Sequence, residues 1–62
     1  MTDSATYEIV VPQGAGEITH NGGSSKDTAL RVAREEATAR GRSVFVRNQV
    51  TREMEEIHPA GR

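Results

Sequence analysis

The chain has 62 residues, no cysteine and a formal charge of −1 at pH 7. It has room for one domain, cannot form a disulfide framework or a thiolate metal site, and carries no global pull toward nucleic acid or acidic lipid. A chain this short buries only about 60% of the surface its unfolded form exposes, so a marginal core that gains from a partner, a homodimer included, is expected.

Residues 1–6 are small and polar and read as a disordered N-terminus. They show neither a basic n-region nor an apolar h-region, so no secretory signal is expected. No apolar run approaches the length of a membrane span. With the absence of cysteine, this points to a cytoplasmic protein. The single domain is placed at 7–58, and 59–62 are read as a disordered C-terminus.

Tyr7-Glu8-Ile9-Val10-Val11 is aromatic and β-branched and ends at Pro12, which reads as a strand. Tyr7, Ile9 and Val11 share one face, and Glu8 and Val10 the other. Gln13-Gly14-Ala15-Gly16 is turn chemistry, after which Glu17-Ile18-Thr19-His20 returns as a short second strand. Asn21-Gly22-Gly23 reads as a second flexible turn. The helix follows: Ser24 and Asp27 have the capping-box spacing, Ser25 competes as N-cap, good helix formers run to Arg40, and Gly41 occupies the C′ position. Its apolar stripe is Leu30, Ala33 and Ala37, with Val32 and Ala29 beside it.

Ser43-Val44-Phe45-Val46-Arg47 is a third strand. In 50–57 two periodicities compete. Val50, Arg52 and Met54 alternate as a strand would, with Asn48-Gln49 as the turn before them and a bulge at Glu55-Glu56 returning Ile57 to the Val50/Met54 face. Val50, Met54 and Ile57 also fit a short C-terminal helix with Thr51 as its N-cap. The strand is preferred. The expected fold is α+β, a ββαββ domain with one helix on one face of a three- to four-stranded sheet, with ββαβα as the alternative.

The pieces Tyr7 to Pro12, Ser25-Lys26-Asp27-Thr28-Ala29, Ala33-Arg34-Glu35 and Gly41 through Val46 together resemble a class of short uncharacterised bacterial ββαββ domains. Ile18 stands where that class has a tryptophan, and the last hairpin lacks its Asp-Gly turn. The resemblance implies the fold and carries no agreed function. Seven arginines against the single Lys26, with many Ala, Gly and Glu, also suit a high-GC bacterial or phage genome.

No catalytic residue, metal ligand set or cofactor motif stands out. His20 and His58 are the only imidazoles, and a metal site needs three or four convergent ligands. Glu35-Glu36 and the Glu53, Glu55, Glu56 group read as solvated faces. Gly14-Ala15-Gly16 and Gly22-Gly23 lack the Walker and Rossmann spacings, and Ser24, Ser25 and Ser43 lie in no nucleophile elbow. Arg31, Arg34, Arg40, Arg42 and Arg47 could straddle phosphates. Against that, Arg31–Glu35 and Glu36–Arg40 have intrahelical pairing distance. If Val44 and Val46 face the helix, Phe45 points out of the uncovered sheet face near Val10; the reverse orientation puts Phe45 in the core. An exposed apolar sheet face more often marks a protein interface than a base-stacking platform. The expected function is a non-enzymatic accessory or protein-interaction domain using Val10 and Phe45 or an exposed strand edge, with a homodimer or another protein as partner. A nucleic-acid-associated protein using the five arginines is the alternative, and no small-molecule substrate is evident.

Overall fold

A computed structural model describes residues 6–60. Over them the chain runs β1 (Tyr7–Gln13), β2 (Gly16–Gly23), α1 (Lys26–Arg40), β3 (Val44–Asn48) and β4 (Met54–Ile57). The strands form one open antiparallel sheet in the order β2-β1-β3-β4, with α1 on one face. The fold is ββαββ, and 50–57 holds no helix.

Hairpin chemistry sets the register. Gly14 takes φ +58 while Ala15 keeps a negative φ, the signature of a two-residue type II′ turn. Gln13 and Gly16 therefore close the ladder as a hydrogen-bonded pair, and alternation sends the backbone groups of Glu8, Val10 and Pro12 toward β3. The bond from Gln49 N–H to the Thr6 carbonyl, 2.9 Å, continues the same series. Pro12 was expected to end the strand, yet β1 continues to Gln13. The β1–β3 ladder stops at Val10–Phe45, so the missing N–H of Pro12 costs no bond. Its carbonyl accepts from Arg42 Nη1 at 3.3 Å.

The second strand is longer than the sequence suggested and takes in Asn21-Gly22-Gly23, the expected turn. A bulge opposite Tyr7 and Glu8 lets the strand continue, leaving Gly22 unpaired and buried beneath α1. Gly23, at φ +82, then turns the chain into the helix.

Ser25, not Ser24, is the N-cap: its Oγ accepts from Thr28 N–H at 3.4 Å. Gly41, at φ +69, closes the helix by donating to the Ala37 carbonyl at 2.7 Å. The side facing the sheet is Ala29, Ala33 and Ala37, each 0% exposed, whereas Leu30 and Val32 flank it half-buried. Three alanines one turn apart let the helix lie close on Ile9, Val11, Val44, Val46 and Ile57, which complete the core.

The last hairpin departs most from expectation. Asn48 organises a wide loop: its side-chain oxygen accepts from Val50 N–H (2.8 Å) and Thr51 N–H (3.0 Å), and its carbonyl accepts from Arg52 N–H (2.7 Å). Arg52 reverses the chain at φ +71. Residues 50–53 are therefore loop, and β4 begins at Met54. No bulge interrupts the β3–β4 ladder, so Met54 and Ile57 lie on opposite faces. Ile57 is 7% exposed beneath the helix, while Met54 and Val50 are exposed.

Contacts with the domain extend just outside 7–58. Thr6 is tied to Gln49, and Ala60 N–H donates to Thr38 Oγ1 at 2.9 Å, which holds the segment after β4 against the helix. Residues 1–5 and 61–62 lie outside the described residues.

Candidate functional site

The register decides where the sequence-selected residues go. Val44 and Val46 face α1, so Phe45 lies on the opposite, uncovered face, directly across from Val10. The two form an apolar strip over the central strands. Val10, expected to offer surface for binding, is only 2% exposed. Phe45 is half-buried and is the accessible part of the strip.

Charge rims this strip. Arg47 and Glu8 are cross-strand partners on the same face, with Arg47 Nε donating to Glu8 Oε1 at 3.1 Å and Nη2 reaching the same oxygen. The Glu8 hydrogen bond raises the Arg47 pKa against a smaller desolvation effect, and the negative charges of Glu8 and Glu17 add to it. The guanidinium, cationic as any arginine is, thus sits in a local acidic field. Glu56 pairs with Phe45 from the other side, so an aromatic centre sits within a polar border.

The five arginines are not brought together. Arg47 is held by Glu8 on the uncovered face. Arg42 bonds the Pro12 carbonyl at one end of the sheet. Arg40 Nε donates to Glu36 Oε1 at 3.0 Å, the pairing expected from the helix spacing. Arg31 and Glu35 form no such pair among the described residues. Arg31 and Arg34 instead border an open groove of about 640 Å³ between α1 and Ala60, with Leu30 and Ala39 on its walls. This groove exists because Ala60 is held against the helix by its bond to Thr38 Oγ1.

Other candidate groups separate in the same way. His20 lies on β2 and His58 follows β4, at opposite edges of the sheet. Among the described residues no three His, Cys, Asp or Glu converge as metal ligands would. Glu55 faces the helix side, where Lys26 Nζ lies 3.7 Å away, whereas Glu56 is on the other face. No described carboxyl group is buried. Unforeseen in the sequence is the Ser43 Oγ to His58 Nδ1 hydrogen bond, 3.0 Å long, one step beyond the Val44–Ile57 pair. A hydroxyl beside an imidazole is the start of nucleophilic chemistry, but among the described residues no carboxylate is hydrogen-bonded to the ring. Its evident work is to fasten the C-terminal segment to β3.

One further surface comes from topology. β2 and β4 are the sheet edges. β4 is short, carries Glu55 and Glu56 and is followed by Pro59, features that blunt an edge. β2 has 8 residues, all exposed but Gly22, and no Lys, Arg or Pro. No protein-family model, curated protein or solved structure matches the chain. Among the described residues no helix is long and apolar enough to cross a membrane.

Proposed function

We propose that this chain is a small non-enzymatic accessory domain that binds protein through the uncovered side of its sheet and the adjoining β2 edge. The observation that carries the reading is Phe45, an aromatic side chain at the centre of a helix-free sheet face and bordered by Glu8, Arg47 and Glu56. A half-buried aromatic anchor inside a polar rim is the usual anatomy of a protein interface. Arginine-rich, alanine-rich usage suits a bacterial or phage origin, and a chain without cysteine suits a cytoplasmic setting.

A nucleic-acid role draws support from Arg31 and Arg34 alone, since Arg40, Arg42 and Arg47 are engaged elsewhere in the fold. Two cations give a weak, steeply salt-dependent footprint. The experiment compares the parent chain, Phe45→Ser and the double variant Arg31→Ala/Arg34→Ala as bait in extract of the source cells, with circular dichroism to verify folding. Loss of a protein partner with Phe45→Ser alone supports the reading, and an anchor of this type contributes at least about 2 kcal/mol, roughly thirtyfold in Kd. Capture of nuclease-sensitive material that vanishes with the arginine variant alone would replace it with the nucleic-acid function.

A further inference from the structure

We infer that the partner of the β2 edge is a second copy of this chain, joined by antiparallel pairing of the two β2 strands about Thr19; this rests on the protein-interaction reading and names one partner for it. The hairpin parity carries the argument. Gly16, Ile18 and His20 bond to β1, so the N–H and C=O groups of Glu17, Thr19 and Asn21 point away from the sheet. These are the unpaired ladder groups of an open edge, a template for another strand.

Two-fold pairing requires outward groups to meet outward groups, which restricts the register to a residue on the axis. With Thr19 on the axis, every outward residue finds a partner: Thr19 meets Thr19 of the second copy, and Glu17 meets Asn21. Side chains agree with that choice. Glu17 opposes an amide that can donate to it, Thr meets Thr, and Ile18, 38% exposed at the edge of the helix layer, is covered by His20 of the second copy. No like charges face each other.

Neighbouring registers do worse. An axis at Ile18 leaves Asn21 opposite the turn. An axis at His20 stacks imidazole on imidazole and sets Glu17 against Gly23, whose N–H is already given to Asn21 Oδ1 at 2.8 Å and whose φ is +82. An unrelated extended peptide could use the same backbone groups, but nothing else on the edge selects one, whereas the edge is complementary to itself. Pairing would join two four-stranded sheets into one continuous sheet presenting two Phe45 side chains on the same side.

The test uses sedimentation equilibrium on the parent chain, on Thr19→Pro and on two single-cysteine variants, Thr19→Cys and the exposed control Val50→Cys. Among the described residues the outward N–H of Thr19 serves no bond, so proline removes the intermolecular bonds and leaves the β1–β2 ladder intact. Directly opposed residues of a hydrogen-bonded pair lie about 5.5 Å apart at Cα, within disulfide reach. The expected result is twice the monomer mass for the parent, monomer mass for Thr19→Pro with an unchanged circular dichroism spectrum, and rapid disulfide dimerisation of Thr19→Cys but not Val50→Cys. A parent chain that stays monomeric at several hundred micromolar overturns the pairing. So does a dimer in which both cysteines cross-link at the same rate. In either case the Phe45 capture experiment still decides the broader reading independently.

Discussion

Replacing Gly22 with alanine separates two opposing terms. A Cβ at this position would lie 3.0 Å from the Tyr7 carbonyl oxygen, 3.2 Å from its carbon and 3.3 Å from Ala29 Cβ. Comfortable carbon contacts begin near 3.5 Å. The atoms in the way are main chain of β1 on one side and the buried stripe of α1 on the other, so neither can rotate aside. Overpacking of this kind costs about 1–3 kcal/mol. Stiffening the unfolded chain gives back about 0.4–1 kcal/mol. The net expectation is a loss of about 1.3 kcal/mol, within a range of about 0–2.6, or a Tm lower by on the order of 10 °C in a domain this small. Gly16→Ala is the internal control, because a Cβ there meets nothing within 4 Å and the backbone φ is not positive. It should gain the entropic term alone, about 0.4–1 kcal/mol. Urea unfolding followed by far-ultraviolet circular dichroism measures both. If Gly22→Ala proves as stable as Gly16→Ala, the close approach of helix and sheet described above is wrong.

Two further outcomes follow from local geometry. Ser25→Ala removes the side-chain oxygen that accepts from Thr28 N–H and should cost about 1 kcal/mol in urea unfolding, whereas Ser24→Ala should change stability by less than about 0.5 kcal/mol. Equal losses would mean that Ser24 is the working cap. Arg52→Gly relieves a left-handed residue at φ +71, a strain of about 1–2 kcal/mol that is offset in part by greater freedom of the unfolded chain. The unfolding midpoint should rise at unchanged m-value, and a fall would show that Arg52 makes contacts that outweigh its backbone strain.

Local chemistry was legible wherever one residue type has one strong preference. Gly41 marked the helix end because a left-handed C′ position favours glycine, and Gly14 sits where a type II′ turn needs it. Alternation in Ile9-Val10-Val11 and Val44-Phe45-Val46 predicted two faces, and of the two orientations left open for Phe45 the register takes the one that sets it beside Val10, away from the helix. The Glu36–Arg40 pair followed from helical spacing alone.

The errors fell where several local solutions have similar energy. Ser24 and Ser25 are equally good caps in isolation, and the choice depends on where β2 delivers the chain. Asn21-Gly22-Gly23 is turn chemistry by composition, but a bulge under Ala29 uses the same glycines to let helix and strand approach. Val50, Met54 and Ile57 suggested one face, a pattern blind to the Asn48 loop that shifts the start of β4 and puts Met54 opposite Ile57. The scattering of the arginines, the groove beside Arg31 and Arg34, and the Ser43–His58 contact join residues far apart in the chain. The sequence by itself determined β1, α1 and β3, the alternation of their side chains and the helix end, because those rest on near-neighbour sterics and period. Which strand became the long open edge was decided only by tertiary structure, because strand order depends on which faces the helix can cover at once.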